Sequence, residues 1–230
     1  MPEKILTFQK KDKQGKLRNV GKMEIRNQTE DTAELYFYGD ICSEAWQSEW
    51  YKDDQAPSDI QEFLKDLDGV NTVHVHINSG GGSVTGGIAI GNMLKAHPAT
   101  MIAYIDAMAA SIATVIALSC DRVVIYKNSI FMIHKPSVSW FSGNADDLRK
   151  EADVLDTCQK SILTTYMAKV KDGVTEEKVN ELIDAETWFT GEEAAEIFDI
   201  EVDALENNAA AAARSEEHTS ELQSRGTISY

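Results

Sequence analysis

The chain has 230 residues, of which 43% are hydrophobic and 26% are charged, a composition typical of globular proteins and not of disordered ones. Its formal net charge of −16 argues against nucleic acid as the main partner, because phosphate binding needs clustered Lys and Arg. The longest apolar run, residues 107–120, is too short to span a bilayer, so we expect no membrane partner. The first residues lack the apolar stretch of a secretion signal, and the three cysteines form neither a zinc pattern nor a disulfide framework. We therefore expect a cytoplasmic protein that needs no metal and no cofactor.

Strand-like and helix-like patterns alternate along most of the chain. The first 30 residues are polar and fit either a strand pair or a flexible segment. Beyond them, β-branched or alternating runs predict strands over residues 34–39, 70–78, 100–105, 122–126 and 130–133. Apolar residues at helical spacing predict helices over residues 60–68, 86–96, 109–119, 146–171, 176–184 and 192–198. This alternation predicts one α/β domain over residues 1–206, built from right-handed βαβ units.

Residues 207–230 fit no part of that pattern. A run of five alanines is followed by a polar segment with no hydrophobic period and no turn chemistry that ties it to what precedes it. Residues 214–224 also read as an in-frame translation of a common sequencing-adapter oligonucleotide. We interpret residues 207–230 as a non-native or disordered tail, and we exclude it, with its His218, from the fold and the site.

Three consecutive glycines, residues 80–82, lie between a predicted strand and a predicted helix. Glycine there allows positive φ and lets backbone N–H groups face a ligand. A phosphate cradle is disfavoured, because neither a Gly-Lys-Ser/Thr ending nor Gly-x-Gly-x-x-Gly spacing is present. An oxyanion hole and a simple tight turn both remain open.

A serine and a histidine are the other candidates for chemistry. Ser111 starts a strongly apolar helix among small residues, where it could be an N-cap or a nucleophile next to the helix N-terminus. His134 ends a buried strand and could be its base or a structural residue. His74 and His76 alternate on one strand face, but no third ligand lies nearby, so we interpret them as structural rather than metal-binding. His97 lies in a helix-to-strand loop, where we expect it at the surface.

These segments together resemble the ClpP family of serine peptidases, in particular its phage and prophage members. The matching motifs are Ile-Asn-Ser-Gly-Gly-Gly-Ser-Val at residues 77–84, Ala-Met-Ala-Ala-Ser at 107–111, Met-Ile-His-Lys-Pro at 132–136 and Glu-Thr-Trp-Phe-Thr-Gly-Glu-Glu-Ala at 186–194. Four motifs in the right order are far more specific than any one of them. The resemblance implies an α/β fold of the ClpP/crotonase type, with repeated ββα and βαβ units and a long handle helix.

The resemblance also implies roles for individual residues. Ser111 would be the nucleophile and His134 its general base. The backbone N–H groups of Gly82 and Ile112 would form the oxyanion hole. The triad acid aligns with Glu186, and Asp184 is the reserve.

This sequence departs from the family pattern at two positions. Gly80 replaces the proline that is usual in the glycine turn, which implies a less rigid oxyanion loop. Ala185 replaces an arginine that takes part in ring-to-ring contacts in cellular ClpP, which puts a stacked double ring in doubt while a homo-oligomeric ring is still expected. Trp140 and Phe141 fall where the family's handle strand begins, and they could serve a subunit interface, a peptide-binding edge or packing under the long helix.

The leading hypothesis is a serine endopeptidase that cleaves peptide bonds through an acyl-enzyme, in ClpP-type proteolysis or in capsid and prohead maturation. Its partners would be a peptide or protein substrate, further copies of itself and a separate AAA+ ATPase, since no Walker sequence is present. The expected location is the cytoplasm of a bacterial host or a phage prohead. Two alternatives remain: a crotonase-type acyl-CoA enzyme, which needs no Ser–His pair, and an inactive oligomeric scaffold. A signal-peptide-peptidase-like Ser–Lys dyad is disfavoured, because no membrane segment is expected and the His134 motif is intact.

Overall fold

A computed structural model describes residues 4–11, 16–41, 57–139 and 141–203 of the chain. The predictions for Trp140 and for residues 207–230 lie outside the described residues. The strands are β1 (Lys4–Lys11), β2 (Leu17–Arg26), β3 (Thr32–Gly39), β4 (Thr72–Ser79), β5 (Thr100–Ala110), β6 (Arg122–Tyr126), β7 (Ile130–Ile133), β8 (Thr187–Thr190) and β9 (Glu201–Asp203). The helices are α1 (Pro57–Leu64), α2 (Val84–Ala96), α3 (Ile112–Ser119), α4 (Ala145–Met167), α5 (Glu176–Asp184) and α6 (Gly191–Ile197), and a 3-10 turn follows α1 at Lys65–Leu67.

The described strands form one mixed sheet in the order β1-β2-β3-β4-β5-β6-β9, with β7 paired to β5 and β8 paired to β7. The first three strands are antiparallel, so the strand-pair alternative for the first 30 residues is the right one. Strands β3 to β6 run parallel, and α2 and α3 connect β4 to β5 and β5 to β6. The predicted α/β class with βαβ units is confirmed.

The core lies between the sheet and the helices. Along β4 the side chains alternate between buried and half-buried, as expected for a strand with one face against helices. Helix α3 is buried over its first seven residues and is covered by α2 and α4. The long helix α4 buries Ile162, Leu163 and Tyr166 near its end, whereas Leu148 and Val154 in its first part are exposed. No helix in the described part of the chain is long and apolar enough to cross a membrane.

Strand β5 extends five residues beyond its predicted end, and this correction matters for the site. The predicted helix over residues 109–119 is wrong at its start, because Ala109 and Ala110 pair with β7 and α3 begins only at Ile112. Between Ile77 and Ser79 on β4, the partner on β5 advances from Ile105 to Ala109. This β-bulge lets β5 leave β6 and continue along β7 toward the start of α3.

Two further features differ from the sequence prediction. Strands β8 and β9 lie outside the predicted strands, because each is short and is formed by pairing with β7 or β6. The expectation that His97 lies at the surface is wrong, because its side chain is only 7% exposed and lies against Asp68 in the turn after α1. Phe141 is exposed, so a subunit interface and a peptide-binding edge both stay open for it.

Candidate active site

Ser111 lies at the junction between β5 and α3. Its backbone has φ 55° and ψ −128°, a conformation that residues other than glycine rarely adopt. Its N–H donates to the Met132 carbonyl over 2.9 Å, which continues the β5–β7 pairing by one residue. Although Ser111 is the N-cap residue of α3, its side chain makes no capping hydrogen bond. The hydroxyl therefore faces another partner.

That partner is His134, the residue that follows β7. His134 Nε2 lies 2.8 Å from Ser111 Oγ. The two residues meet because β5 and β7 are parallel and end together, with Ala110 opposite Met132. The separation is that of a hydrogen bond between a nucleophile and its base. His134 is half-buried, and Ser111 is accessible from one side.

The glycine loop, residues 80–82, is held against Ser111 by the end of β3. Ile41 N–H donates to the Gly81 carbonyl, and the Ile41 carbonyl accepts from Ser83 N–H, both over 2.8 Å. A Cβ atom placed on Gly81 would lie 2.8 Å from Ser111 Cβ and 3.2 Å from Ile112 N, so only a glycine fits there. Gly81 and Gly82 both have positive φ, which glycine adopts without strain.

Two backbone donors near Ser111 have no partner within the described residues. The N–H groups of Gly82 and Ile112 appear in no backbone or side-chain hydrogen bond there. The Ile112 group is one of the N–H groups that the first turn of a helix leaves unpaired. The structure thus places unpaired donors on both residues that the resemblance assigned to an oxyanion hole.

Ser79 is a residue of this loop that the sequence interpretation missed. It is buried at the end of β4, where its Oγ donates to the Gly39 carbonyl over 2.6 Å and accepts from Gly81 N–H over 3.1 Å. One hydroxyl therefore joins the end of β3 to the glycine loop. The signal in the sequence was a polar residue at an inward-facing position of an otherwise apolar strand face.

The structure does not join a carboxylate to His134. Within the described residues, His134 makes a hydrogen bond to Ser111 alone. The Asp184 carboxylate lies 2.9 Å from Lys135 Nζ, and Glu186 Oε1 accepts a long hydrogen bond of 3.4 Å from Trp188 Nε1. Glu186 also has a positive φ of 50° at the turn that precedes β8.

Glu186 lies directly before β8, the strand that pairs with β7. Strands β7 and β8 are antiparallel, and their last pair on this side is Ile133 opposite Thr187. His134 and Glu186 are therefore the residues that flank this pair on the two chains.

The two histidines on β4 belong to an aromatic stack on the sheet face. The His76 ring stacks on Tyr36 at a centroid distance of 4.6 Å and on Tyr104 at 5.4 Å, and His74 stacks on Tyr104 at 5.4 Å. In the described part of the chain, no group of three His, Cys, Asp or Glu residues could hold a metal ion. These contacts favour the structural interpretation of both histidines.

An acidic residue on β5 completes this stack. His76 Nδ1 lies 3.0 Å from Asp106 Oδ1, and Tyr38 donates a hydrogen bond of 2.6 Å to Asp106 Oδ2. Burial and the Asp106 carboxylate together raise the pKa of the Tyr38 phenol. Side chains from β3, β4 and β5 are thereby joined a few residues before these strands reach the site.

A Ser–His pair at the ends of parallel strands, together with backbone N–H groups that have no partner among the described residues, is an arrangement suited to acyl transfer to serine. The comparisons with known proteins agree with this class. The family model for Clp protease matches residues 52–198, more than half of the chain, and the chain therefore belongs to the Clp protease family. The predicted family is confirmed, whereas the phage or prophage type stays a prediction.

Several curated relatives are similar to about half of the chain. ATP-dependent Clp protease proteolytic subunit 1 of Chlamydia abortus is 32% identical over 121 residues, which cover 51% of this chain and 62% of the relative. The subunit 1 protein of Leifsonia xyli is 30% identical over 129 residues, or 55% of this chain and 64% of the relative. Subunit 2 of Tropheryma whipplei is 33% identical over 127 residues, covering 54% of this chain and 68% of the relative. The chain thus spans a little under two thirds of the length of the first two.

Proposed function

We propose that this chain is a serine-type peptidase that cleaves peptide bonds through an acyl-enzyme. The observation that carries the proposal is the 2.8 Å separation between Ser111 Oγ and His134 Nε2. Membership of the Clp protease family supports it. A crotonase-type enzyme would need no such pair, so the pair favours peptidase over acyl-CoA chemistry.

The geometry supports a two-stage reaction. In the first stage, Ser111 Oγ attacks the peptide carbonyl carbon while its proton passes to His134 Nε2. The carbonyl oxygen becomes an oxyanion, and the N–H groups of Gly82 and Ile112 stabilise its charge. His134 then donates the proton to the leaving amine, the C–N bond breaks and an ester to Ser111 remains. In the second stage, water loses a proton to His134 and attacks the ester, which releases the new carboxyl end and regenerates the serine.

We propose Glu186 as the acid that orients His134. Its support is the β7–β8 pairing, whose last pair, Ile133 and Thr187, is flanked by His134 on one chain and Glu186 on the other. A change of side-chain rotamer would exchange the 3.4 Å contact with Trp188 for a hydrogen bond to His134 Nδ1–H. That bond would fix the tautomer in which Nε2 accepts the serine proton.

The partners of this peptidase are part of the same proposal. The similar proteins are named proteolytic subunits of ATP-dependent Clp proteases. By analogy, this chain would act as a homo-oligomeric ring in the cytoplasm, with a separate ATPase that delivers unfolded protein. Capsid or prohead proteins as substrates, and the prohead as location, are a narrower version of this proposal.

Hydrolysis of a short fluorogenic peptide tests the proposed function without requiring an ATPase. Wild-type protein is expected to release the fluorophore, while Ser111→Ala and His134→Gln are expected to lose almost all of that activity. Ser119→Ala serves as the matched control, since Ser119 lies on the same helix and its hydroxyl donates to the Val115 carbonyl. Hydrolysis that survives in Ser111→Ala would overturn the proposal.

A further inference from the structure

We propose that Thr114 and Tyr166 are positioning residues that hold Ser111 in its reactive conformation. The inference rests on the proposed function of Ser111. It adds two residues, one on α3 and one on α4, that no motif singled out as functional. Neither contacts His134 by a hydrogen bond, and each acts through the backbone of the nucleophile.

The backbone of Ser111 needs such a support. A non-glycine residue at φ 55° and ψ −128° is strained, and this conformation persists only when its surroundings enforce it. Its N–H is held by the Met132 carbonyl. Its carbonyl accepts two hydrogen bonds from Thr114, one from the backbone N–H over 3.0 Å and one from the side-chain hydroxyl over 2.5 Å.

Hydrogen-bond chemistry fixes the direction of this network. A carbonyl oxygen can only accept, so the Thr114 hydroxyl must give its single proton to Ser111. The Tyr166 hydroxyl lies 2.7 Å from Thr114 Oγ1 and must therefore be the donor in that bond. The order of donation runs from Tyr166 to Thr114 to Ser111, and each bond polarises the next.

The network is buried. Thr114 is 0% exposed and Tyr166 is 1% exposed, so both hydroxyls are shielded from bulk water. The Tyr166 ring packs on Phe198 at a centroid distance of 5.7 Å, and Phe198 packs on Phe131 of β7 at 5.4 Å. Tyr166 is thus connected to Ser111 by hydrogen bonds and, by packing, to β7, the strand that His134 follows.

Removing the threonine hydroxyl is the direct test. Thr114→Val keeps the shape and is expected to slow fluorophosphonate acylation of Ser111 and to lower kcat by about tenfold, the equivalent of about 1.4 kcal/mol. Tyr166→Phe leaves the Thr114-to-Ser111 bond in place, so its effect is expected to be smaller, about threefold. Thr114→Ser retains the hydroxyl and is expected to restore most of the activity.

Two readouts separate positioning from general structural support. KM and the pH midpoint of kcat/KM are expected to stay unchanged, because neither residue contacts the peptide or His134. Ser119→Ala, which removes a hydroxyl from the other end of the same helix, is the control for loss of a helix-internal hydrogen bond. All rates are normalised to the folded fraction measured by circular dichroism. If Thr114→Val does not fold, Tyr166→Phe serves as the test variant.

Each outcome of these experiments either supports or overturns the positioning role of Thr114 and Tyr166. Wild-type acylation rates in folded Thr114→Val, or equal losses in Thr114→Val and Thr114→Ser, would overturn the positioning role. That failure is distinguishable from failure of the proposed function, in which Ser111→Ala itself would leave hydrolysis unchanged. A loss in Thr114→Val with recovery in Thr114→Ser supports the proposal.

Discussion

Lys135 Nζ lies 2.9 Å from Asp184 Oδ1, so the residue next to the candidate base pairs with one of the two candidate acids. Both side chains are more than half exposed, and the pair itself adds little stability. The ion pair does, however, hold the Asp184 carboxylate at Lys135. Glu186, in contrast, directly precedes β8, the strand paired with β7, and its carboxylate accepts a long hydrogen bond of 3.4 Å from the exposed Trp188 side chain.

The two acids are therefore expected to respond differently to mutation. Glu186→Gln should lower kcat on a peptide substrate by about 100-fold or more, because an amide cannot stabilise the imidazolium of His134 in the same way. Asp184→Asn should change kcat less than about threefold. Steady-state kinetics of both variants check this. The reverse order would assign the role to Asp184, and an unchanged kcat in both would mean that His134 works without an acid from this turn.

The glycine loop gives a second prediction, for which Gly82→Ala is the test variant and Gly80→Ala is the control. A Cβ atom on Gly82 would lie 2.0 Å from the Ile41 carbonyl oxygen, and the φ of 145° is strained for any other residue. Gly82→Ala is expected to displace the loop and reduce activity at least about 100-fold, the effect of losing an oxyanion donor. At Gly80 the nearest atom to a Cβ would be Met108 Cε at 3.9 Å, so Gly80→Ala should fold and work normally. Peptide hydrolysis and thermal unfolding of both variants test this, and comparable activity in the two would contradict it.

The strained backbone at Ser111 predicts that the residue needed for activity lowers the stability of the protein. Ser111→Gly removes the penalty of a positive φ, whereas Ser111→Ala keeps that penalty and removes the same hydroxyl. We expect Ser111→Gly to be more stable than Ser111→Ala by about 1 kcal/mol, in spite of the greater freedom of glycine in the unfolded chain. Denaturant unfolding of the two inactive variants measures this difference. A less stable Ser111→Gly would mean that the backbone there is relaxed.

The parts of the site that carry local sequence motifs could be predicted, and the parts that depend on tertiary contacts could not. Ser111, His134 and the glycine loop each follow a strand, and their order and motifs are visible in the sequence. The extension of β5 through Ala109 and Ala110 was not visible, because small residues carry no hydrophobic period and their strand conformation comes from pairing with β7.

Other features depended on contacts between distant segments. Ser79, Thr114 and Tyr166 are polar residues in apolar surroundings, and only their spatial neighbours give them a role. The burial of His97 depends on packing against the turn after α1. Asp68, the residue of that turn that His97 contacts, lies 29 positions earlier in the chain. A local pattern cannot report such tertiary contacts.

Acid stability is expected to depend on Glu24, a buried carboxylate on β2. Hydrogen bonds from Arg26 and then Lys22 hold its pKa below the ordinary value of 4.5. A lowered folded pKa contributes stability that is present above about pH 4.5 and lost as the pH falls through the folded value. Wild-type protein should therefore lose free energy of unfolding below pH 4.5 more steeply than Glu24→Gln does.

Denaturant unfolding between pH 3 and pH 7 measures this dependence. Glu62→Gln, at an exposed position on α1, controls for the loss of one negative charge. Parallel pH profiles for wild type and Glu24→Gln would show that the two cations do not stabilise this carboxylate.

Covalent labelling shows whether Ser111 is a nucleophile activated by His134. Wild-type protein is treated with a fluorophosphonate, and the modified residue is located by mass spectrometry of its peptides. We expect a single adduct on Ser111, strongly slowed labelling in His134→Gln and none in Ser111→Ala. An adduct on another residue, or undiminished labelling of Ser111→Ala, would mean that Ser111 is not the nucleophile.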